Sequence, residues 1–499
     1  MRNASQRPSW RAPATFGRTV LAGLAALGLA ALCSCTVGPD FRPPEPVAVA
    51  TYTAPPQDAQ TEQAPPDGGV AQQFVPAETI GGGWWRSFQS PVLDRLVQQA
   101  LDHSPTLEQA RMRLEQARQD ELAQSGATQW PQLDASLGTT REKIDPAAFG
   151  LGGRSVPPFT LYSARVNVSY MLDLFGANRR SLEALAAAVD YQRYELEAAR
   201  LALAGNVVTT AVRRASLARQ IELTGELLDH RAQQLDITGQ RYQAGGVSRQ
   251  DLLAQRSQVE QTRASLAPLR TQLAQADHQL AVYLGRAPAQ LVPGDAEDPA
   301  ALDLDSLVLP AQVPLTLPST LAQRRPDIRA STALLHQASA NVGLATANLY
   351  PQVTLTAGSG PEGVSVTDLV NVWSIGAGVT QPLLHGGQLQ SRKRSAQAAY
   401  EAALAAYQQT VLQGLQQVAD ALQALQQDAI ELQARDRAQR DSHAGAEIAG
   451  QRYAAGGISH LALLDVQRQE LQTSLDRTRV QAQRLVDTAA LYQALGASP

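Results

Sequence analysis

Two stretches of more than one hundred residues contain no proline, which restricts the chain mainly to long helices. They run from Phe159 to Ala267, 109 residues, and from Leu383 to Ser498, 116 residues. Proline is rare inside helices because it lacks the N–H donor and clashes with the preceding turn. A helix from Gln388 to Tyr453 would be ~100 Å long, at ~1.5 Å per residue. Its apolar residues recur every three or four positions, the spacing of paired helices: Leu404, Tyr407, Val411, Leu415, Val418, Leu422 and Leu425.

The two stretches belong to a duplicated unit. Residues 237–285 and 448–496 align without a gap at a constant offset of 211, and both contain Gly-Gln-Arg-Tyr-x-Ala-Gly-Gly followed by Val or Ile and then Ser. Residues 105–133 pair more weakly with residues 326–353. The body of the chain is therefore predicted to be two copies of one unit.

Short segments ahead of each long helix alternate between apolar residues and polar or glycine residues. This period of two predicts strands with one lipid-facing and one wet face. Half-buried strands of a soluble sheet are the alternative, but no globular core is evident for them to cover. The apolar positions fall into four groups: Leu133, Ala135 and Leu137; Val166, Val168 and Tyr170; Val353, Leu355 and Ala357; Trp373, Ile375, Ala377 and Val379.

Four strands cannot close a barrel, and an open edge in lipid leaves backbone groups unsatisfied at several kcal/mol each. The barrel therefore has to be shared between chains. Two chains would give eight strands, whose interior fills with side chains, whereas three chains give twelve and leave a lumen. A homotrimer is the smallest assembly that would conduct.

The N-terminal segment has the pattern of a secretory signal, with four arginines and no acidic residue in its first 34 positions. Its apolar run from Thr19 to Leu32 is shorter than the ~20 residues of a transmembrane helix. The sequence Leu32-Cys33-Ser34-Cys35 is similar to a bacterial lipobox, so we predict lipidation at Cys35; an ordinary signal with incidental cysteines is the alternative. Removing the signal takes the formal net charge from -4 to -8, which disfavours nucleic-acid binding.

Prolines recur after Cys35 and again in the middle of the chain, and they mark the expected divisions. The first proline-rich segment is predicted to be an extended tether without regular helix. The expected divisions are a signal peptide over residues 1–34, the lipidated cysteine and tether over 35–83, a first repeat over 84–285, an equatorial linker over 286–318 and a second repeat over 319–499.

Four stretches carry a resemblance to the TolC-like outer membrane factor family, in particular its lipoprotein (NodT-type) branch serving resistance-nodulation-division efflux pumps. They are Cys35-Thr-Val-Gly-Pro-Asp-Phe-Arg-Pro-Pro44, Trp84-Trp85-Arg-Ser-Phe88, Ser169-Tyr-Met-Leu-Asp-Leu-Phe-Gly176 and Leu317-Pro-Ser-Thr-Leu-Ala-Gln-Arg-Arg-Pro-Asp-Ile-Arg329. The resemblance implies a mainly α protein with transmembrane β structure. Three chains would share a twelve-stranded outer-membrane β-barrel, continued by a long periplasmic α-helical barrel. It also implies an outlet duct that passively conducts the substrates of an inner-membrane pump and a periplasmic membrane-fusion adaptor protein.

The resemblance also implies roles for two turns and one helix face. The turns would be periplasmic tips that contact the adaptor, although plain structural turns would use the same residues: Arg241, Tyr242, Gly245, Gly246, Val247 and Ser248, and Arg452, Tyr453, Gly456, Gly457, Ile458 and Ser459. Leu461 would form an apolar constriction of a gate, and Asp465 an acidic ring with Arg468 as its partner. An ordinary intrahelical pair is the alternative for Asp465 and Arg468. The first copy has Ala254 and Ser257 at these two positions.

Other classes of protein fit less well. The seven histidines are scattered without metal-ligand spacing, and no phosphate loop or nucleophile elbow is present. We therefore expect no enzyme activity, no metal and no cofactor. Within the channel class the alternative is an outlet for type I protein secretion, whose members usually lack a lipobox. Outside that class the alternative is a structural periplasmic coiled-coil lipoprotein.

Overall fold

The computed structural model describes residues 36–45, 49–54, 58–63, 69–77, 81–143, 157–291 and 298–497. The signal peptide and Cys35 lie outside these ranges. The helices of the described part are α1 (Pro91–His103), α2 (Pro105–Gln129), α3 (Ala177–Gln243), α4 (Arg249–Tyr283), α5 (Pro318–Arg324), α6 (Pro326–Ala347), α7 (Gln388–Ala454) and α8 (His460–Ala494). The strands are β1 (Gln73–Pro76), β2 (Gln132–Glu142), β3 (Phe159–Leu172), β4 (Gln312–Leu315), β5 (Gln352–Gly363) and β6 (Val370–Thr380).

The chain divides into two compact units, and each collects three separate segments. The first unit contains Met1–Pro43, Gln116–Val189 and Ala333–Ala405. The second unit contains Pro44–Glu115, Asp190–Thr332 and Ala406–Pro499. The repeat boundaries inferred from the sequence stay a prediction.

In the first unit, four strands form one antiparallel sheet in the order β2-β3-β5-β6. All four alternating segments found in the sequence are strands of this sheet. Val168 of β3 pairs with Leu133 of β2 and with Ala357 of β5, so these apolar residues share one face. The outer edges of β2 and β6 have no strand partner in the described part of the chain.

The expected long helix is confirmed, since α7 covers Gln388–Ala454. Helices α3 and α7 have 67 residues each, and α4 and α8 have 35 each. In the second unit the seam of α7 is buried against the end of α8 and against the linker. This core contains Val418, Leu422 and Leu425 of α7, Leu491 and Leu495 at the end of α8, Val313 of the linker and Leu321 of α5. No described helix has a stretch long and apolar enough to cross a membrane.

A parallel pair of four-residue strands, β1 and β4, was not predicted. β1 lies in the segment expected to be a tether, and its Phe74 pairs with Val313 of β4. The segment contains no helix in its described residues. Its end, β1, pairs with β4 of the linker in the second unit, a contact that the sequence did not predict.

Arg325, which lies between α5 and α6, joins the end of α8 to the interior of α7. Its side chain is almost fully buried, and Nη1 donates to the carbonyl of Ala494 at 2.8 Å and to that of Gly414 at 3.3 Å. Its Nε donates to the carboxylate of Asp327 at 2.8 Å. The last carbonyls of a helix have no partner inside the helix. Arg325 satisfies one of them at the end of α8 and joins it to α7.

Candidate functional site: the helical tips and the Asp465 region

Residues just after Cys35 are held against helices of the first unit. The guanidinium of Arg180 on α3 is only 4% exposed and contacts the carboxylates of Asp40 at 2.8 Å and Glu183 at 2.7 Å. The ring of Phe41 stacks on that of His336 with centroids 4.4 Å apart. The segment that begins the expected tether is therefore docked. No pattern in the sequence had indicated that Arg180 would bind it.

Each Arg-Tyr-x-Ala-Gly-Gly sequence forms the same helix-ending turn. In the first tip Gly245 has φ +75°, its N–H donates to the carbonyl of Tyr242 at 2.9 Å, and the N–H of Gly246 donates to that of Arg241 at 2.7 Å. These two bonds define a Schellman motif, which requires a left-handed residue after the helix. Glycine adopts that conformation without the cost of a Cβ atom.

The second tip repeats this geometry. Gly456 has φ +72°, and the N–H of Gly457 donates to the carbonyl of Arg452 at 2.7 Å. Both reversals predicted from the double glycines are therefore present as tight turns. The tip side chains are mostly exposed, with Val247 and Ile458 half-buried.

The helices that follow the two tips start differently. Ser248 and Asp251 form a capping box at α4, with each side chain accepting a backbone N–H of the other at 3.1 Å. The Ser248 hydroxyl also donates to the Asp251 carboxylate at 2.8 Å, and this hydrogen bond, followed by the one from the Ser248 backbone N–H, lowers the pKa of Asp251. At α8 Ser459 accepts the N–H of Ala462 at 3.2 Å, and alanine cannot complete the box.

The three residues expected at a gate lie in the first turns of α8. Leu461 is half-buried and Asp465 is exposed, while Arg468 approaches Asp465 with 3.9 Å between Nε and Oδ1. The ion pair considered for Asp465 and Arg468 is therefore present, at a distance near the upper limit for a salt bridge. An ion pair this exposed contributes only ~0–1 kcal/mol.

A second partner of Asp465 comes from the other copy of the repeat. Gln234 on α3 is 1% exposed, and its Nε2 donates to Asp465 Oδ1 at 3.2 Å. Four leucines pack between the same helices further from the tips: Leu223 and Leu227 of α3 with Leu471 and Leu475 of α8. The start of α8 is thus joined to α3 by an apolar contact and by one hydrogen bond to a carboxylate.

Arg231, one turn from Gln234, adds positive charge to this region. It donates to the backbone carbonyl of Gln258 at 2.9 Å and to the hydroxyl of Thr262, both on α4. Burial lowers its pKa, and the nearby positive charge of Arg468 lowers it further. Arg231 and Arg468 are therefore two cations close enough to repel each other in this region.

Gln234 and Arg231 were not predicted from the sequence. The alignment of the two repeats could have indicated them, because the corresponding residues of the second repeat, at an offset of 211, are Gly445 and Ser442. These positions differ between the copies just as Ala254 and Asp465 do. Within the described ranges, no three His, Cys, Asp or Glu residues are grouped to hold a metal ion.

Comparison with known proteins identifies the family. The profile described as "Outer membrane efflux protein" matches residues 96–286 and 317–497. The pyoverdine export outer membrane protein OpmQ of Pseudomonas putida is 29% identical over 442 residues, which cover 87% of this chain and 92% of that protein. The probable efflux pump outer membrane protein TtgC of the same species is 28% identical over 470 residues, 93% of each chain.

The solved structures agree with these sequence matches. The outer-membrane channel OprN superimposes with a TM-score of 0.78 at 26% identity, covering 93% of this chain and 99% of that one. These relatives are named as export proteins, efflux proteins and channels. The resemblance drawn from the four sequence stretches is confirmed. The chain therefore belongs to the family of outer membrane efflux proteins.

Proposed function

We propose that this outer-membrane efflux protein is one third of a homotrimeric outlet duct with a shared twelve-stranded barrel. The observation that carries this proposal is an open four-stranded sheet whose two edge strands are exposed along nearly their whole length. Unpaired backbone groups cost several kcal/mol each in lipid, so both edges need partners there. Three copies would supply them and leave a lumen.

The apolar face of the sheet supports contact with hydrocarbon. Its largest side chains are far more exposed than a water-soluble sheet would leave them. Burying each of them is worth ~1.5–3 kcal/mol. They include Leu133, Leu137, Trp373, Ile375 and Val379, which are 68% to 88% exposed.

Two substitutions on β6 test the barrel. Ile375→Asp places a charge on the apolar face. A charged side chain at the centre of a bilayer costs up to ~2–4 kcal/mol, with arginine and lysine at the upper end. We therefore expect little trimer in the outer membrane. Ser374→Asp, the matched control on the opposite face, should assemble normally and conduct in planar bilayers. Equal assembly of both variants would contradict the shared barrel.

The orientation has its own test. A protease added to intact cells should cleave near Pro157, because the turn between β2 and β3 would lie outside. A structural periplasmic coiled-coil lipoprotein would keep that turn protected. Complete protection of a correctly assembled protein would favour this alternative.

A lipid on Cys35 would add a second attachment to the outer membrane. The docked segment from Thr36 to Phe41 supports this, because Asp40 of that segment is held by Arg180 only eight residues beyond the end of β3. The anchored cysteine would then lie near the membrane strands. Mass spectrometry of the N-terminal peptide should detect the acyl chains, and Cys35→Ser should remove them.

The two tips are proposed to contact the periplasmic membrane-fusion adaptor of a resistance-nodulation-division pump, with Leu461, Asp465 and Arg468 narrowing the entrance. Their exposed turns support contact with a partner, and the links of Asp465 to Gln234 and Arg468 support a closed state. A photocrosslinker at Ser248 or Ser459 should capture the adaptor. A crosslinker at Glu121 on α2 is the control, and equal capture there would contradict a tip-specific contact.

A further inference from the structure

The strand pairing assigns every residue of the β2-β3-β5-β6 sheet to one of two faces. Leu133, Val168 and Ala357 are cross-strand partners on the apolar face. Asn167 and Gly358 are partners on the opposite face, which we call the polar face. Because side chains alternate along a strand, each assignment fixes those of its neighbours two residues away.

Small residues dominate the middle of the polar face. Five of its positions are glycine: Gly138, Gly358, Gly360, Gly376 and Gly378. The ionisable side chains on this face of the described strands are Asp134, Glu142, Arg165 and Glu362. Glycines leave few neighbouring side chains that could cover a long charged residue on this face.

Arg165 of β3 and Glu362 of β5 contact each other across this face. The Nη2 of Arg165 hydrogen-bonds to Oε2 of Glu362, and the two side chains are 38% and 21% exposed. Glu362 is the register partner of Ser163, so Arg165 reaches it diagonally. The contact is therefore a specific cross-strand ion pair.

Gly360 allows the two strands to approach closely beside this pair. A Cβ atom on Gly360 would lie 2.0 Å from the carbonyl oxygen of Ala164 and 2.8 Å from Cα of Arg165. No other residue fits there without moving a strand. The ion pair of Arg165 and Glu362 thus lies beside a glycine that has no side chain, in the half of the sheet nearer the turn after Gly363.

We propose that Arg165 and Glu362 form a charged collar on the inner wall of the barrel and influence which charged solutes pass. The collar rests on the proposed function, since the polar face lines a passage only when three chains close the barrel. Three pairs would then stand at one height. Rings of charged side chains set selectivity in pores because they act on passing ions at short range.

A single thiol can report on the collar. Both cysteines of the chain lie at positions 33 and 35, so Asn167→Cys introduces the only other one, on the polar face close to Arg165. Intact cells are treated with membrane-impermeant methanethiosulfonates, one cationic and one anionic. Asn167→Cys should react, whereas Val168→Cys, the control on the apolar face, should not.

Charge-removing variants are then added to Asn167→Cys. Arg165→Gln should raise the ratio of cationic to anionic reaction rates about twofold, and Glu362→Gln should lower it similarly, as expected for one unit charge ~8 Å away in water at physiological salt. Arg165→Lys should keep the original ratio. Glu121→Gln on α2 is the matched control away from the sheet.

The outcomes separate the two proposals. Opposite shifts from the two single variants support the collar. Reaction at Asn167→Cys with an unchanged ratio in both would overturn the collar and leave the barrel standing. No reaction at Asn167→Cys, or equal reaction at Val168→Cys, would overturn the barrel and the collar with it.

Discussion

Replacing Gln234 by methionine removes the donor to Asp465 and keeps a side chain of similar size in a buried position. The hydrogen bond is 3.2 Å long and its acceptor is charged. Bonds to charged groups contribute ~1.5–3 kcal/mol. Because the Asp465 side chain is 57% exposed, water can replace part of the bond, and we take ~1 kcal/mol.

This energy changes an opening equilibrium by about fivefold in one chain, since ~1.4 kcal/mol is tenfold. If the three chains open together, three bonds break at once and the change is about 100-fold. If they open one at a time, the change stays near fivefold. The open probability of single channels in planar bilayers distinguishes these cases.

The matched control is Gln240→Met on the same helix. Gln240 Nε2 also donates to a carboxylate, that of Asp236 at 2.9 Å, but the bond lies within α3 and joins no second helix. In a double-mutant cycle, Gln234→Met should have little further effect once Asp465 is alanine. Equal open probabilities for Gln234→Met, Gln240→Met and the unmodified protein would refute the role of this bond in closure.

Three further predictions concern other charged groups. The double variant Asp465→Ala with Arg468→Ala should admit a vancomycin-sized solute, measured as sensitivity of intact cells; unchanged sensitivity and conductance would contradict the gate. Burial, together with the Asp487 carboxyl, raises the pKa of Asp428 to about 8. Because the folded state then holds the proton more tightly than the unfolded state, thermal stability should fall as pH rises from about 4 through 8. Asp428→Asn should flatten that dependence, and an equally steep one would exclude Asp428 as its source. Arg325→Lys should cost about 1–3 kcal/mol in urea unfolding, because it removes the guanidinium donor to the buried carbonyl of Ala494; a loss below about 0.5 kcal/mol would contradict the role of Arg325 in joining α8 to α7.

Elements with strong periodicity could be predicted from the sequence. The alternation around Val168 and Trp373 located strands, and the seam of α7 located a helix to within one residue of its end. Both signals arise because each side chain's burial follows its position in a regular element. The tips could also be predicted, since only glycine satisfies the turn at Gly245 and Gly456 at low cost.

Contacts between distant segments could not be predicted in the same way. Strands β1 and β4 have four residues each, too few for a periodic pattern. The attachment of Asp40 to Arg180 and that of Asp465 to Gln234 join residues 140 and 231 positions apart. Such pairs depend on how helices pack, and a single sequence records only that a polar residue occurs at each position.

The attachment of α8 to Arg325 has a mechanical consequence for this helix. The helix is held at Ala494, and Asp465 lies 29 residues earlier, which corresponds to ~43 Å of helix at ~1.5 Å per residue. When a rigid helix tilts about one end, its other end moves by the helix length multiplied by the tilt angle. A tilt of about 5° at Arg325 would move the carboxylate of Asp465 by about 4 Å. This displacement exceeds the 3.2 Å between Asp465 Oδ1 and Gln234 Nε2. A small rotation at Arg325 would therefore suffice to break the hydrogen bond between Gln234 and Asp465.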